Sequence, residues 1–329
     1  MREFLAAYGL FLAELATLAA LVAVVVMLIV AVRRGSRGHG LVVEHLNRSY
    51  EDSVDELKAA IEGKGRFKKE AKARRKERKR EEQTRERQGS TRPRTFVLDF
   101  KGDIRASAVA SLREEISAVL QVAKAGDEVL LKLENPGGTV HEHGLAASQL
   151  LRLRPHGLRL IVAVDKIAAS GGYLMACVAD RLIAAPFAII GSIGVLAQLP
   201  NFNRLLEEKG VDFEQITAGR YKRTLTMFGK NTPEGREKVQ QEVEDVHELF
   251  KAQIREHRPQ VDLEHVATGE HWYGIQALER KLVDELKTSD DVLLEAAKDR
   301  DLYHLTYKRH RGWQERMLGG VESLLERVA

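Results

Sequence analysis

The hydrophobic and polar positions of this 329-residue chain fall into three regimes. Residues 9–32, GLFLAELATLAALVAVVVMLIVAV, are almost unbroken apolar side chains with one charge, Glu14. About 20 residues span a bilayer at 1.5 Å rise each. A cleavable leader has a shorter apolar core, about 7–15 residues. The segment therefore predicts a retained membrane helix, with Glu14 one turn inside its outer end. Residues 41–62 carry Leu41, Leu46, Val54, Leu57 and Ile61 at loose helical spacing and predict a helix, interrupted by Gly63 and Gly65. Residues 66–88 have almost no apolar positions and read as a charged helix or a solvated linker.

From Thr95 the pattern alternates between strand and helix. TFVLDF, DEVLLKLE, LRLIVAVD and RLIAAP read as strands, and residues 106–126 read as a helix with Val109, Leu112, Ile116, Val119 and Leu120 on one face. HEHGLAASQLLRLRP reads as a helix ended by Pro155, and residues 232–257 as a long helix with Thr232 as N-cap and Pro233 in its first turn. This order predicts an α/β domain with mainly parallel strands. Residues 182–199 are long enough to span a membrane. Pro186, Gly191, Ser192 and Gly194 break them instead into a strand, a Gly-hinged loop and a short strand. The organisation expected is a membrane anchor over 1–40, a charged helical linker over 41–94, a catalytic-sized domain over 95–310 and a C-terminal helix over 311–329.

Charge sharpens the first two regimes. Residues 66–88 hold 12 Lys/Arg and 5 Glu, net +7, whereas the whole chain has a formal net charge of +4; everything else is therefore net −3. The basic pI comes from one segment. With Arg33, Arg34 and Arg37 beyond the apolar run, the positive-inside rule puts the C-terminal part on the cytoplasmic side of a single-pass span. Basic residues there contribute about 1 kcal/mol each at an anionic lipid surface. Interspersed glutamates, and Phe67 as the sole aromatic of the run, argue against nucleic acid. A single cysteine, Cys177, excludes an internal disulfide and reads as a small core residue.

Three loops carry candidate chemistry. Asn135-Pro136-Gly137-Gly138 follows a strand and precedes a helix, so its N–H groups can turn toward an anion. Ser170, in AASGGY, stands at a helix entrance, where a serine is either an N-cap or a nucleophile. Lys222, in AGRYK, follows the strand-like DFEQIT, with Lys166, Lys209 and Lys230 as rival lysines. A lysine serves as a base only when its environment lowers its pKa. His141 and His143 are too close in sequence to share a helix face as metal ligands.

Joined together, NPGG, then ASGGY 33 residues after Gly137, then GSIGV, then AGRYK resemble the signal-peptide-peptidase-A-type serine peptidases of the ClpP/crotonase superfamily. The likeness runs over nearly the whole chain. It implies a ClpP/crotonase-like spiral of ββα units behind the membrane helix and charged linker. It implies a Ser–Lys dyad, with Ser170 as nucleophile and Lys222, 52 residues on, as base. The oxyanion would be held by backbone N–H of Gly137 or Gly138 and of Gly171. Asn135 departs from the small hydroxyl residue usual before Pro-Gly-Gly, and Lys281 stands where relatives often have Gly. No histidine lies between Ser170 and His247, which disfavours a Ser-His-Asp triad. The implied activity is a membrane-anchored serine endopeptidase acting on peptides or membrane-associated segments. It needs no cofactor and no metal. Its partners are a peptide substrate, membrane lipid and further copies of the chain, with active sites at subunit interfaces. The better-known relatives work on the outer side of the inner membrane, so a periplasmic placement competes with the charge rule. Val195, Leu196 and Leu199 are candidate apolar walls for the substrate. Two other readings compete: an acyl-CoA enzyme using Glu142 or Glu134 as acid/base, and a non-catalytic membrane scaffold.

Overall fold

The computed structural model describes residues 40–62 and 92–309, with isolated helical positions at 17, 76 and 80. The expected membrane helix, the basic run and the C-terminal helix lie outside the described residues apart from those single positions. Among the described residues, no helix is long and apolar enough to cross a membrane. The chain divides into two compact units, Val43–Thr306 and a second of Met1–Val42 with Tyr307–Ala329. All of the candidate site residues belong to the first.

The element order is β1 (Gly40–His45), α1 (Leu46–Glu62), β2 (Arg94–Lys101), α2 (Val109–Val122), β3 (Glu128–Glu134), α3 (Val140–Leu151), β4 (Arg159–Val164), β5 (Ile167–Ala169), α4 (Gly171–Ala176), β6 (Arg181–Ala184), β7 (Ile189–Gly191), α5 (Asn203–Glu208), α6 (Pro233–His257), α7 (Leu263–Val266), β8 (His271–Tyr273), α8 (Gly274–Glu279), β9 (Glu285–Leu286), α9 (Ser289–Ala296) and β10 (Asp301–Lys308). The strands form a seven-stranded sheet, β1-β10-β2-β3-β4-β6-β9, and a three-stranded sheet, β5-β7-β8. Pairing is parallel from β10 across to β9, as the strand–helix alternation predicts.

The central strands are buried on both faces, which is why they read as continuous apolar runs. Phe96, Leu98 and Phe100 of β2 enter the main core with Val129, Leu131 and Leu133 of β3 and Leu160, Val162 and Val164 of β4. The residues between them, Val97, Leu130, Ile161 and Ala163, meet Ile183, Val292, Leu293 and Leu302 on the opposite face. Helix α6 begins as its sequence dictates: Thr232 Oγ1 accepts from Gly235 N–H at 3.1 Å, with Pro233 in the first turn.

Three expectations are corrected. Residues 40–45 are a strand, not the start of the following helix; Val42 and Val43 are exposed there, so no buried stripe marked the element in sequence. DFEQIT forms no strand: residues 211–217 are irregular and exposed, because no neighbouring strand takes up their backbone. In residues 182–199 the short strand β7 precedes the glycine loop rather than following it, since its partners β5 and β8 pair with Ile189–Gly191.

Candidate active site

The site grows from the seam between the two sheets. Strand β3 ends at Glu134, and Asn135 crosses to the small sheet: its N–H donates to Ile167 O at 2.8 Å, and its own carbonyl accepts from Ala169 N–H at 3.0 Å. One residue further, Ser170 sits between β5 and α4 with φ 51° and ψ −120°. A non-glycine residue there is strained, at a cost of about 1–3 kcal/mol. Distant backbone holds it: Ser170 N–H donates to Gly191 O at 2.8 Å, and Leu174 N–H donates to Ser170 O at 3.0 Å. The cap question is thereby answered. Ser170 occupies the N-cap position, but its hydroxyl makes no capping bond to the helix. Ser170 is one of the residues that line a cavity.

The glycine turn lies against this corner. Gly137 has φ +94°, and a Cβ there would fall 2.8 Å from Ser170 Cβ and 2.9 Å from Gly171 N. Only glycine permits both that conformation and that approach. Of the three expected oxyanion donors, Gly137 N–H is engaged, donating to Asn135 Oδ1 at 2.9 Å. The N–H groups of Gly138 and Gly171 have no protein acceptor among the described hydrogen bonds and remain open to an anion. Asn135 is fully buried; its Nδ2 faces Met175 Sδ at 3.2 Å and its Oδ1 also meets His143 Nε2 at 3.2 Å.

Ser170, Gly137, Gly138 and Gly171 line one cavity of about 1580 Å³. Val195 and Leu196 form part of its wall, as expected; Leu199 does not. Lys222 is not among the lining residues. It lies in an exposed irregular segment, its N–H turned back to Gly219 O at 3.1 Å. Of the rival lysines, Lys166 is held by Glu134 at 3.2 Å, Lys209 ends α5, and Lys230 is exposed. Glu134 is thus ion-paired and Glu142 lies 3.9 Å from His141; neither lines the cavity. Cys177 is fully buried, and burial pushes its thiol up to about 12, so it stays an inert core residue.

Two cavity neighbours, and one buried residue beside them, were not assigned by sequence. Ser192 lines the cavity with φ 51°, its N–H donating to Glu270 O at 2.7 Å; its signal was the GSIGV turn. His247 of α6 also lines it, and its Nε2 is buried without a hydrogen-bond partner. Its distance along the chain hid this. His143, by contrast, points inward, fully buried, while the neighbouring His141 is exposed.

The chain is similar to known proteins over most of its length. The model of the peptidase family S49 N-terminal region matches residues 3–150, and that of peptidase family S49 matches residues 152–303. A protein described as probable protease SohB from Haemophilus influenzae is 47% identical over 318 residues, covering 94% of this chain and 90% of that one. A protein of the same description from Buchnera aphidicola subsp. Acyrthosiphon pisum is 57% identical over 232 residues, covering 70% and 69%. Among solved structures, a membrane-bound stomatin-specific protease covers 63% of this chain and 85% of its own at 16% identity, with a TM-score of 0.40. With both halves of the sequence matched and 47% identity sustained almost end to end, the chain belongs to peptidase family S49 and is a hydrolase of peptide bonds.

Proposed function

We propose that this peptidase is a membrane-anchored serine endopeptidase with a Ser170–Lys222 dyad, on a ClpP/crotonase-like arrangement of the two sheets. One observation carries the reading: the Ser170 hydroxyl is held at a strained strand-to-helix corner, free of any capping bond, beside two unoccupied backbone donors in a cavity. Ser170 Oγ attacks the scissile carbonyl as neutral Lys222 takes its proton. Gly138 and Gly171 N–H receive the oxyanion; one such donor is worth about 2.7–4 kcal/mol. The lysinium then protonates the leaving amine, and water releases the acyl group from Ser170.

Lys222 reaches the serine from another copy of the chain. It does not line its own chain's Ser170 cavity, and the segment carrying it exposes Leu196, Leu205, Phe213, Ile216 and Phe228. A surface so apolar calls for a partner, and a second copy supplies both the cover and the base. Residues 9–32 anchor the assembly in the inner membrane, and the basic flank supports a cytoplasmic side for the catalytic part.

A quenched peptide assay on the purified full chain tests the dyad. Ser170→Ala and Lys222→Ala each abolish cleavage. If both variants keep full activity the dyad is wrong, and thioester turnover without peptide cleavage would favour the acyl-CoA reading instead.

A further inference from the structure

The cavity that Ser170 lines has no acid, lysine or arginine in its wall. None of its 27 lining residues is Asp, Glu, Lys or Arg, in a chain where those four types make up 30%. Helices α3 and α6 both pack on α4, and Leu174, one turn along α4 from Ser170, also lines the cavity. Each of the two helices contributes a stripe at helical spacing: Gly144, Ala147 and Leu151 from α3, and Val246, Phe250 and Gln253 from α6.

The α6 stripe carries polar groups that the chain leaves unused. Gln253 is half-buried, and its amide makes no hydrogen bond among the described residues. His247, next to Val246, is half-buried too, and its Nε2 is buried without a partner. A buried polar atom costs free energy until something bonds it. On the α3 side, Gly144 leaves room. Glycine within a helix is less stable than alanine. A Cβ on Gly144 would meet nothing within 4 Å, so no close approach calls for glycine there. What the missing side chain provides is space in the cavity.

We propose that this part of the cavity is a side-chain subsite for a carboxamide of the peptide substrate, Asn or Gln, with Gln253 as its specificity-determining residue and His247 as a second polar contact. The chemistry of the wall selects that class. A carboxamide carries donors and an acceptor but no charge, so it pairs reciprocally with the Gln253 amide. Its methylene stem lies along apolar Leu151, Val246 and Phe250. No hydrogen bond among the described residues fixes the His247 ring, which turns to meet the ligand. A carboxylate or ammonium would be stripped of water with no counter-charge in the wall. An aliphatic side chain of the same shape would leave the Gln253 amide unpaired, which is how a polar site rejects an apolar isostere. The inference rests on the reading of Ser170 as nucleophile, which makes this cavity the place where substrate lies.

Quenched peptides of alanine and leucine, each with a single Gln, Met, Glu or Ala stepped through the sequence, test this with the purified full chain in detergent. At one position relative to the cut, the Gln peptide should exceed its Met isostere in kcat/KM by about tenfold or more. The Glu peptide should be slower than both. In Gln253→Met the Gln-to-Met ratio should fall to about one, and in His247→Leu it should fall part of the way. A loss of fold lowers every peptide alike and leaves the ratio unchanged, so the ratio reads the contact rather than stability. Gly144→Leu fills the proposed space and should slow the Gln and Met peptides relative to the Ala peptide. The same peptides, labelled and bound to Ser170→Ala, should repeat the preference as a ratio of Kd values without turnover. The absence of any position with such a preference overturns the proposal, as does a ratio left unchanged by either α6 variant, or a Gly144→Leu enzyme that slows all three peptides equally. If Ser170→Ala still cleaves, the dyad fails while the ratios are still read. A flat profile from an enzyme that Ser170→Ala inactivates overturns the subsite and leaves the dyad standing.

Discussion

The Ser170 corner and the Lys222 segment are built on opposite principles. The corner is fixed by backbone from three places far apart in sequence: Asn135 beyond β3, Gly191 at the end of β7, and α4, whose Tyr173 is fully buried with its hydroxyl donating to Leu282 O at 2.9 Å. The lysine segment has one short helix, α5, and a small aromatic group in which Phe228 lies 6.3 Å from Phe202 and 5.8 Å from Phe213. Local bonds from Asn201 and Asn231 to the Thr226–Gly229 turn fold it on itself. Its other side is exposed; Ile216 is 96% accessible. On the proposed dyad, a Ser170 corner fixed by distant backbone and a Lys222 segment held only by local bonds fit a site completed by association.

Complementation gives the largest expected effect. Ser170→Ala and Lys222→Ala alone should each lower kcat by about 10⁴-fold or more. Mixed and reassembled, the two inactive proteins should regain a substantial fraction of native activity, since some interfaces pair an intact serine with an intact lysine. A mixture that stays inactive, although each variant assembles by sedimentation, would place both residues of a dyad in one chain and end the comparison.

A smaller effect should follow from charging the exposed segment. Phe213→Asp puts a carboxylate into its aromatic group and the surface around it. Activity should fall about tenfold or more at low enzyme concentration and recover as concentration rises, while the thermal unfolding of the core changes little. The measurement is specific activity against dilution, alongside sedimentation. An equal loss at every concentration would mean that the segment acts without a partner.

Legibility in the sequence follows the same division. Strands β2, β3 and β4 were readable because their apolar runs record burial on both faces, a property of consecutive residues. The start of α6 was readable because Thr232, Pro233 and Gly235 are local neighbours. Strand β1 was not, because an edge strand with exposed valines has the composition of either element. The three loops were visible as glycine punctuation, but not the bond that engages Gly137, nor the inward turn of His143 eight residues beyond Asn135. Whether Ser170 caps its helix was undecidable from AASGG. Its positive φ is imposed by Gly191 O and Asn135, which the crossing of the two sheets brings together from distant sequence.

The frame should respond to changes that leave the lysine segment untouched. His304 Nε2 lies 2.7 Å from Asp99 Oδ2 across β10 and β2. The hydrogen bond to Asp99 raises the His304 pKa above its ordinary 6.5, and the same bond lowers Asp99 below 3.8. The histidine's share of stability is complete below 6.5 and is lost as pH rises through its raised folded value. The carboxylate's share is complete above 3.8 and is lost as pH falls through its lowered one. The pair is therefore at full strength between 3.8 and 6.5. His304→Gln should lower stability, read as Tm, most near about pH 5 and least near about pH 9, the loss in free energy being under about 1 kcal/mol for so exposed a pair. Equal losses at both pH values would remove the ion pair from the account. Oligomeric state should not change.

The smallest effect belongs to the turn after α8. Leu282 N–H donates to Ala277 O at 2.9 Å and Lys281 N–H to Leu278 O at 3.0 Å, the two bonds of a Schellman C-cap. Lys281 occupies its left-handed position at φ 59°, where a side chain crowds the backbone and glycine does not. The turn is tied to the frame through Lys281 O, which accepts from Arg258 Nη2 at 3.1 Å, while Arg258 also pairs with Asp284 at 2.7 Å. These contacts use backbone and neighbouring residues, so removing the lysine side chain leaves them in place. Lys281→Gly should therefore raise stability by about 0.5–1 kcal/mol, the relief at φ 59° exceeding the added freedom of the unfolded chain. Denaturant unfolding should show a higher midpoint at an unchanged m-value, and kcat should stay at the native level. A lower midpoint would mean that the Lys281 side chain contributes more to this turn than its backbone strain costs.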